Sequence, residues 1–162
     1  AEGLLQQGIE LVILGSGEAQ YENFFNELCA RNPGRVGVYI GFNAKLAQQI
    51  YAGADIFLMP SRSEPCGLAQ MVSCRYGTIP VIRETGGLKD SIRDSGDGYG
   101  NGFTFANYNA HELYEACWRA KEGYWQKDGW PVLVKRAMEC DFSWSNSAKS
   151  YEGLYNEVVN LW

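Results

Sequence analysis

Short apolar runs alternate along the chain with longer segments in which apolar residues recur at helical spacing. The runs are rich in β-branched side chains, a pattern typical of strands that are buried on both faces of a parallel sheet. They predict five strands, at residues 9–14, 36–40, 54–59, 78–82 and 103–105. Because helical segments separate the runs, the pattern predicts βαβ units and an α/β fold with a parallel sheet.

The segments between and after the runs predict the helices. The predicted helices lie near residues 1–7, 18–31, 43–52, 67–76, 87–92, 109–125, 130–140 and 144–161. Asn43 is expected to cap one helix and Gly77 to end another, while Phe24, Phe25 and Leu28 are expected on the buried side of the second. Residues 94–102 contain four glycines in nine positions, which predicts an exposed loop.

Composition narrows the class of protein. The length of 162 residues is that of one domain, and the net charge of −5 without a basic run argues against a nucleic-acid partner. The five cysteines form no C-x-x-C pair, which argues against a disulfide framework or a zinc cluster and suggests a reducing compartment. No apolar run approaches the roughly 18 residues of a membrane span. The chain starts without Met, so we expect a fragment of a longer protein.

The clearest candidate site is the stretch at 61–71, which follows the third predicted strand and leads into a helix. Ligand sites of α/β proteins lie at the carboxyl ends of such strands. A helix N-terminus carries unpaired N–H groups and a partial positive charge, both suited to phosphate. Glu64 stands just before this helix, where its carboxylate can accept hydrogen bonds from hydroxyl groups. The stretch therefore suggests a sugar-nucleotide ligand.

Three other features have a functional and a structural interpretation. Cys66 lies at a helix N-terminus, where a thiol can be reactive, but a small residue in a crowded site is the favoured interpretation. Gly15 and Gly17 lack the third glycine of a dinucleotide fingerprint, so a tight turn is favoured. His111 lies near a helix start, which favours a capping or solvent-exposed role over catalysis.

Longer motifs resemble a known family. The stretches ADIFLMPSRSEPCGL at 54–68, RYGTIPV at 75–81, TGGLKD at 85–90 and DFSW at 141–144 resemble bacterial glycogen synthase and plant starch synthase, in the same order and spacing. That family transfers glucose from ADP-glucose to the non-reducing end of an α-1,4-glucan with retention. Its GT-B fold has two Rossmann-like domains that face a cleft. The resemblance implies that this chain is the C-terminal, donor-binding domain.

The resemblance also implies roles for individual residues. Glu64 would accept hydrogen bonds from glucose hydroxyls at the catalytic position. The residues expected to bind the donor are Phe42 against adenine, Cys66 and Gly67 in the sugar pocket, the N–H groups of Gly67, Leu68 and Ala69 on the distal phosphate, and Thr85 and Gly86 on the far wall. The family needs no metal or other cofactor.

The chain departs from the family pattern in ways that predict its behaviour. The first strand of the domain, two basic diphosphate ligands and the acceptor-side domain have no counterpart, and Val72 stands where many related transferases carry a second Glu. In a 3-2-1-4-5-6 strand order, a missing first strand leaves a gap between the strands at 9–14 and 54–59. We therefore expect rearrangement or self-association at the exposed edges, and no activity from the chain alone.

The expected organisation is one domain over 1–162, with a helical tail at 140–162 that crosses back to the absent N-terminal domain. Two alternatives remain: a related transferase domain that uses UDP-glucose, and a non-catalytic module that binds nucleotide sugars. The motif around Cys66 favours ADP-glucose, and the tail disfavours an independent module. The expected partners are ADP-glucose or ADP and, through the absent domain, the glucan. Bacterial cytoplasm is the expected location, with plastid stroma as the alternative.

Overall fold

The computed structural model describes residues 1–161 and shows the predicted alternation of strands and helices. The strands are β1 Leu11–Gly15, β2 Val36–Ile40, β3 Ile56–Met59, β4 Ile79–Arg83 and β5 Phe103–Phe105. The helices are α1 Glu2–Gln6, α2 Ala19–Arg31, α3 Ala44–Gly53, α4 Ala69–Tyr76, α5 Gly87–Ser91, α6 Ala110–Tyr124, α7 Gly129–Met138 and α8 Trp144–Val159. A 3-10 turn, Ser95–Asp97, lies between α5 and β5.

All of the strand ladders are parallel, as predicted. β1 pairs with β2 in a two-stranded sheet, and β3, β4 and β5 form a second sheet with β4 in the middle. In the second sheet Leu58 lies opposite Val81, which lies opposite Phe103. Among residues 1–161, β1 and β3 form no ladder with each other. The interruption falls at the position where the sequence predicted a gap.

The larger hydrophobic core surrounds β4. Ile79, Val81 and Ile82 are fully buried, because β4 has a strand on each side and helices against its faces. Burying one such side chain stabilises the fold by about 1.5–3 kcal/mol. A smaller core around Leu28 packs beneath the two-stranded sheet, and Leu11 contacts both cores.

Helix ends follow the predicted signals. The Asn43 side chain accepts a hydrogen bond from the Leu46 N–H at 3.0 Å and so caps α3. α4 ends at Gly77, whose φ of +80° is the left-handed conformation that glycine adopts without strain. At the start of α6, Asn109 caps the helix and the Glu112 carboxylate accepts from the N–H groups of the preceding loop.

Two predictions about exposure are wrong. Within the loop at 94–102, Gly100, Asn101 and Gly102 are buried, because the Asn101 side chain bonds the backbone of Ser91 and Arg93 and so draws the loop inward. On α2, Leu28 is buried as predicted, but 37% of Phe24 is exposed. The two-stranded sheet beneath α2 is too narrow to cover the whole apolar face of the helix.

The C-terminal helix α8 differs from the other long helices because none of its side chains is buried. Trp144, Tyr151, Tyr155 and Val159 are all exposed, Trp144 by 87%. The rest of the described chain therefore leaves an apolar face of α8 uncovered. No helix in residues 1–161 combines the length and apolar composition that crossing a membrane requires.

Candidate functional site

Two loops meet at the carboxyl edge of the second sheet. The loop at 60–68 follows β3, and the turn at 84–86 follows β4, its parallel neighbour. The Gly87 N–H donates to the Pro65 carbonyl at 3.3 Å. A Cβ atom on Gly86 would lie 2.0 Å from the Glu64 carbonyl oxygen, so only glycine permits this approach. The structure thus brings the predicted residues of the two loops together.

A buried glutamine that the sequence pattern did not single out joins the loop after β3 to α5. The Gln70 side chain is fully buried, and its Nε2 donates to the Gly67 carbonyl at 2.9 Å and to Ser91 Oγ at 3.0 Å. Ser91 Oγ in turn donates to the Gly87 carbonyl at 2.7 Å. The only sequence signal was a polar residue on the inner side of α4; its partner Ser91 is 21 residues away.

Gly67 shapes the entry to α4. Its φ is +73°, and a Cβ atom there would lie 2.6 Å from Gln70 Oε1. The first intrahelical bonds run from the N–H groups of Met71 and Val72 to the Leu68 carbonyl, and no side chain caps this helix end. The preceding N–H groups of Leu68 and Ala69 therefore belong to the set that a helix leaves without intrahelical partners, and the N–H of Gly67 comes directly before them. N–H groups at a helix N-terminus are suited to an anion.

The loop before Glu64 is held by a basic side chain. Arg83, the last residue of β4, donates from Nη1 to the Arg62 carbonyl at 2.7 Å and from Nε to the Ala106 carbonyl at 3.1 Å. Its guanidinium lies over the ring of Tyr108, 5.7 Å from the centroid. The loops after β3 and β5 are therefore both connected to the end of β4 through this one residue.

A polar cluster connects Glu84, in the turn after β4, with Asp94 and Arg119 through Thr104. Thr104 Oγ1 donates to Glu84 Oε1 at 2.6 Å, and Asp94 forms a two-point ion pair with Arg119 at 2.8 and 3.0 Å. Burial favours the neutral form of Asp94, but hydrogen bonds from Arg119 and from backbone N–H groups outweigh it and lower the pKa of this carboxyl. In residues 1–161, no cluster of His, Cys, Asp and Glu side chains could hold a metal ion.

The predicted base contact follows a strand of the other sheet. Phe42 comes after β2 in the two-stranded sheet, and 93% of its surface is exposed. The Cys66 thiol is also exposed, in contrast to Cys74 and Cys117, where burial raises the thiol pKa to about 12 and about 11. His111 is exposed and lies beside Glu115, while Asn109 provides the cap of α6.

The parallel α/β fold, with two loops in contact at the carboxyl edge of β3 and β4, is a fold of the Rossmann type. The family model described as "Glycosyl transferases group 1" matches residues 1–124, and the chain belongs to this family.

The chain is 49% identical over 158 residues to proteins named glycogen synthase from Bacillus anthracis and from Geobacillus thermodenitrificans. These matches cover 96% of the chain but only 33% of each relative, so the chain spans about a third of their length.

Solved structures agree with this assignment. The catalytic domain of starch synthase IV from Arabidopsis thaliana, bound to ADP and acarbose, superposes with a TM-score of 0.84 at 36% identity, over 96% of this chain and 34% of that one. Anabaena HepE in complex with UDP-glucose superposes with a TM-score of 0.67 at 19% identity, over 85% of this chain and 37% of that one, and shares the fold. The predicted fold class, a Rossmann-like sheet of GT-B type, is confirmed.

Proposed function

We propose that this chain is the donor-binding part of a glycogen or starch synthase, which transfers glucose from ADP-glucose to an α-1,4-glucan with retention. The observation that carries the proposal is the joined pair of loops, in which Glu64 lies in the loop that leads to the N-terminus of α4, an end without a side-chain cap. It occurs in a chain that is 49% identical to proteins named glycogen synthase.

The roles proposed for the residues follow from their chemistry. Glu64 accepts hydrogen bonds from glucose hydroxyls, and the N–H groups at 67–69 bind the distal phosphate. The turn at Thr85 and Gly86 forms the opposite wall, and Cys66 lines the sugar pocket. In the transfer, the hydroxyl oxygen at the non-reducing end of the glucan forms a new bond to the sugar C1, on the face from which the phosphate leaves. The bond between C1 and the phosphate oxygen breaks, ADP leaves with the electron pair, and the hydroxyl proton passes to the departing phosphate oxygen. The fixed dipoles of the helix end stabilise this leaving group without a metal.

Adenine is the base that we propose for the donor, with Phe42 against it. The exposed ring after β2 supports a stacking role, and the starch synthase structure similar to this chain is bound to ADP. The alternative donor is UDP-glucose. The support for it comes from structures that share the fold at low identity, such as HepE at 19%.

In this proposal, the groups that bind the glucan and the remaining groups that bind the donor belong to other segments of a larger protein. The 162 residues supply a sugar wall and a helix end, whereas the basic diphosphate ligands and the acceptor site would come from other segments. The uncovered apolar face of α8 supports the expectation that the tail at 140–162 docks on another domain.

The interruption between β1 and β3 supports self-association of the chain on its own. Bacterial cytoplasm is the proposed location.

Calorimetric titration of the 162-residue chain with ADP and with UDP tests the proposal. We expect weak ADP binding, weaker UDP binding and no elongation of a glucan primer. A preference for UDP would overturn the ADP-glucose assignment, and elongation by the isolated chain would show that the absent segments are not required.

A further inference from the structure

We infer that Arg83 is a positioning residue, which orients Glu64 toward the sugar by holding the loop in front of it and does not itself contact the ligand. The inference rests on the proposed role of Glu64 and assigns the specificity for the glucose moiety partly to a residue outside the sugar pocket.

Arg83 reaches two loops at once. Its Nη1 bonds the Arg62 carbonyl at 2.7 Å, two residues before Glu64, and its Nε bonds the Ala106 carbonyl at 3.1 Å. Because Arg83 lies at the end of β4, the buried central strand of its sheet, both bonds start from a rigid base. The guanidinium plane can donate in these two directions simultaneously, which a lysine ammonium on a flexible stem does less well.

The second anchor point of Arg83 is itself fixed. The Ala106 N–H donates to a Glu112 carboxylate oxygen at 3.0 Å, and the Asn107 N–H donates to the same oxygen at 2.7 Å. Glu112 belongs to the first turn of α6. The loop after β5 is therefore tied to a long helix, and Arg83 transmits this restraint to the loop that carries Glu64.

The other side of Glu64 is held independently. The buried Gln70 side chain bonds the Gly67 carbonyl at 2.9 Å, three residues after Glu64. Glu64 thus lies in a short segment with one side-chain anchor at each end, Arg83 before it and Gln70 after it. Releasing the first anchor should loosen the carboxylate while leaving the helix N-terminus, and hence the phosphate contacts, in place.

Direct contact between Arg83 and the diphosphate is the competing interpretation, and the two make opposite predictions. A residue that contacts the diphosphate contributes to the binding of both ligands, and at least as much to that of ADP, whose terminal phosphate carries more negative charge. A residue that acts through Glu64 contributes only to ADP-glucose, because only that ligand carries the glucose hydroxyls. A loss of affinity for ADP-glucose that exceeds the loss for ADP therefore indicates positioning rather than contact. A general loss of stability would lower both affinities together.

The experiment is a calorimetric titration of the 162-residue chain with ADP and ADP-glucose in a double-mutant cycle. We expect Arg83→Ala to weaken ADP-glucose binding about tenfold and ADP binding less than about twofold, with Arg83→Lys intermediate. Combined with Glu64→Ala, Arg83→Ala should cause no further loss, because both changes remove one interaction. Equal losses for both ligands, or additive losses in the double variant, would overturn the inference.

Hydrogen exchange gives a readout that needs no ligand. Arg83→Ala should accelerate exchange of the amides at 62–66, whereas Arg75→Ala should not, since Arg75 makes one long bond of 3.4 Å to the Met138 carbonyl, away from this loop. If the parent chain binds ADP-glucose no better than ADP, the proposed role of Glu64 fails, and the exchange rates still test whether Arg83 holds this loop. Unchanged exchange at 62–66 in Arg83→Ala would overturn the inference.

Discussion

Gly86 is the position at which one methyl group has the largest consequence for the candidate site. Its φ of +46° and ψ of −137° are unfavourable for side-chain-bearing residues, and a Cβ atom would lie 2.0 Å from the Glu64 carbonyl oxygen. The contacting atom belongs to the backbone, so it cannot move aside by rotating a side chain. The glycine is thus a requirement of the contact between the two loops.

We therefore predict that Gly86→Ala destabilises the fold more than Gly8→Ala does. Gly8 also has a positive φ, of +82°, but a Cβ atom there would have no neighbour within 4 Å, so that variant measures backbone strain alone. The steric overlap at Gly86 should add about 1–3 kcal/mol to the loss of unfolding free energy. Urea unfolding of both variants measures the difference. Equal losses would mean that the loops do not approach each other this closely.

The sequence revealed some residues of this site more readily than others. Glu64 and the glycines stand in two motifs that directly follow neighbouring strands, so their placement at one edge could be predicted from chain order. Gln70 and Arg83 could not be assigned in this way, because their function depends on carbonyl partners that their own motifs do not reveal, such as that of Ala106. Every residue has a backbone carbonyl, so a carbonyl acceptor cannot be recognised from the identity of the residue that provides it.

At the scale of elements, Asp94 connects the end of α5 to β5 and α6. It accepts from the Thr104 N–H at 2.7 Å and pairs with Arg119 on α6. The same contacts explain why the loop at 94–102 is partly buried, since Asp94 also bridges to Gly102. The glycine content of this loop indicated turns, but glycine content does not distinguish a buried turn from an exposed one.

Asp94 should also make stability depend on pH. Its pKa is lowered in the folded state, so its contribution is present above the ordinary aspartate pKa of about 4 and is lost as pH falls through the lower folded value. We predict that Asp94→Asn lowers the unfolding free energy by about 1–3 kcal/mol at pH 7 and by less below pH 4. The exposed Asp90→Asn is the matched control. A loss that is the same at pH 7 and pH 3 would contradict this prediction.

For the whole molecule, the division into two sheets and the exposed tail are the main structural features. The order of elements and the gap between β1 and β3 could be predicted, because strand periodicity and the resemblance fix the strand order. The exposure of α8 within the described chain could be expected only from the resemblance, which implied that the tail packs against another domain. Helical periodicity alone shows an apolar face but not what covers it.

We predict that deleting residues 141–162 leaves the thermal stability of the remaining chain nearly unchanged. No side chain of α8 is buried, and surface changes typically alter the unfolding free energy by less than about 0.5 kcal/mol, or roughly 1–2 °C in Tm. Leu133→Ala, in the core, should cost about 2–5 kcal/mol and serves as the positive control. A large fall in Tm on deletion would show that α8 packs on this domain after all.

In the proposed function, the loop after β3 and the turn after β4 form one wall of a donor site. Hydrogen exchange of the 162-residue chain with and without ADP-glucose tests this arrangement most directly. We expect slower exchange at residues 62–70 and 84–88, with ADP alone protecting the first segment more than the second. Protection confined to the cluster around Asp94 or to α8, with both loops unchanged, would contradict it.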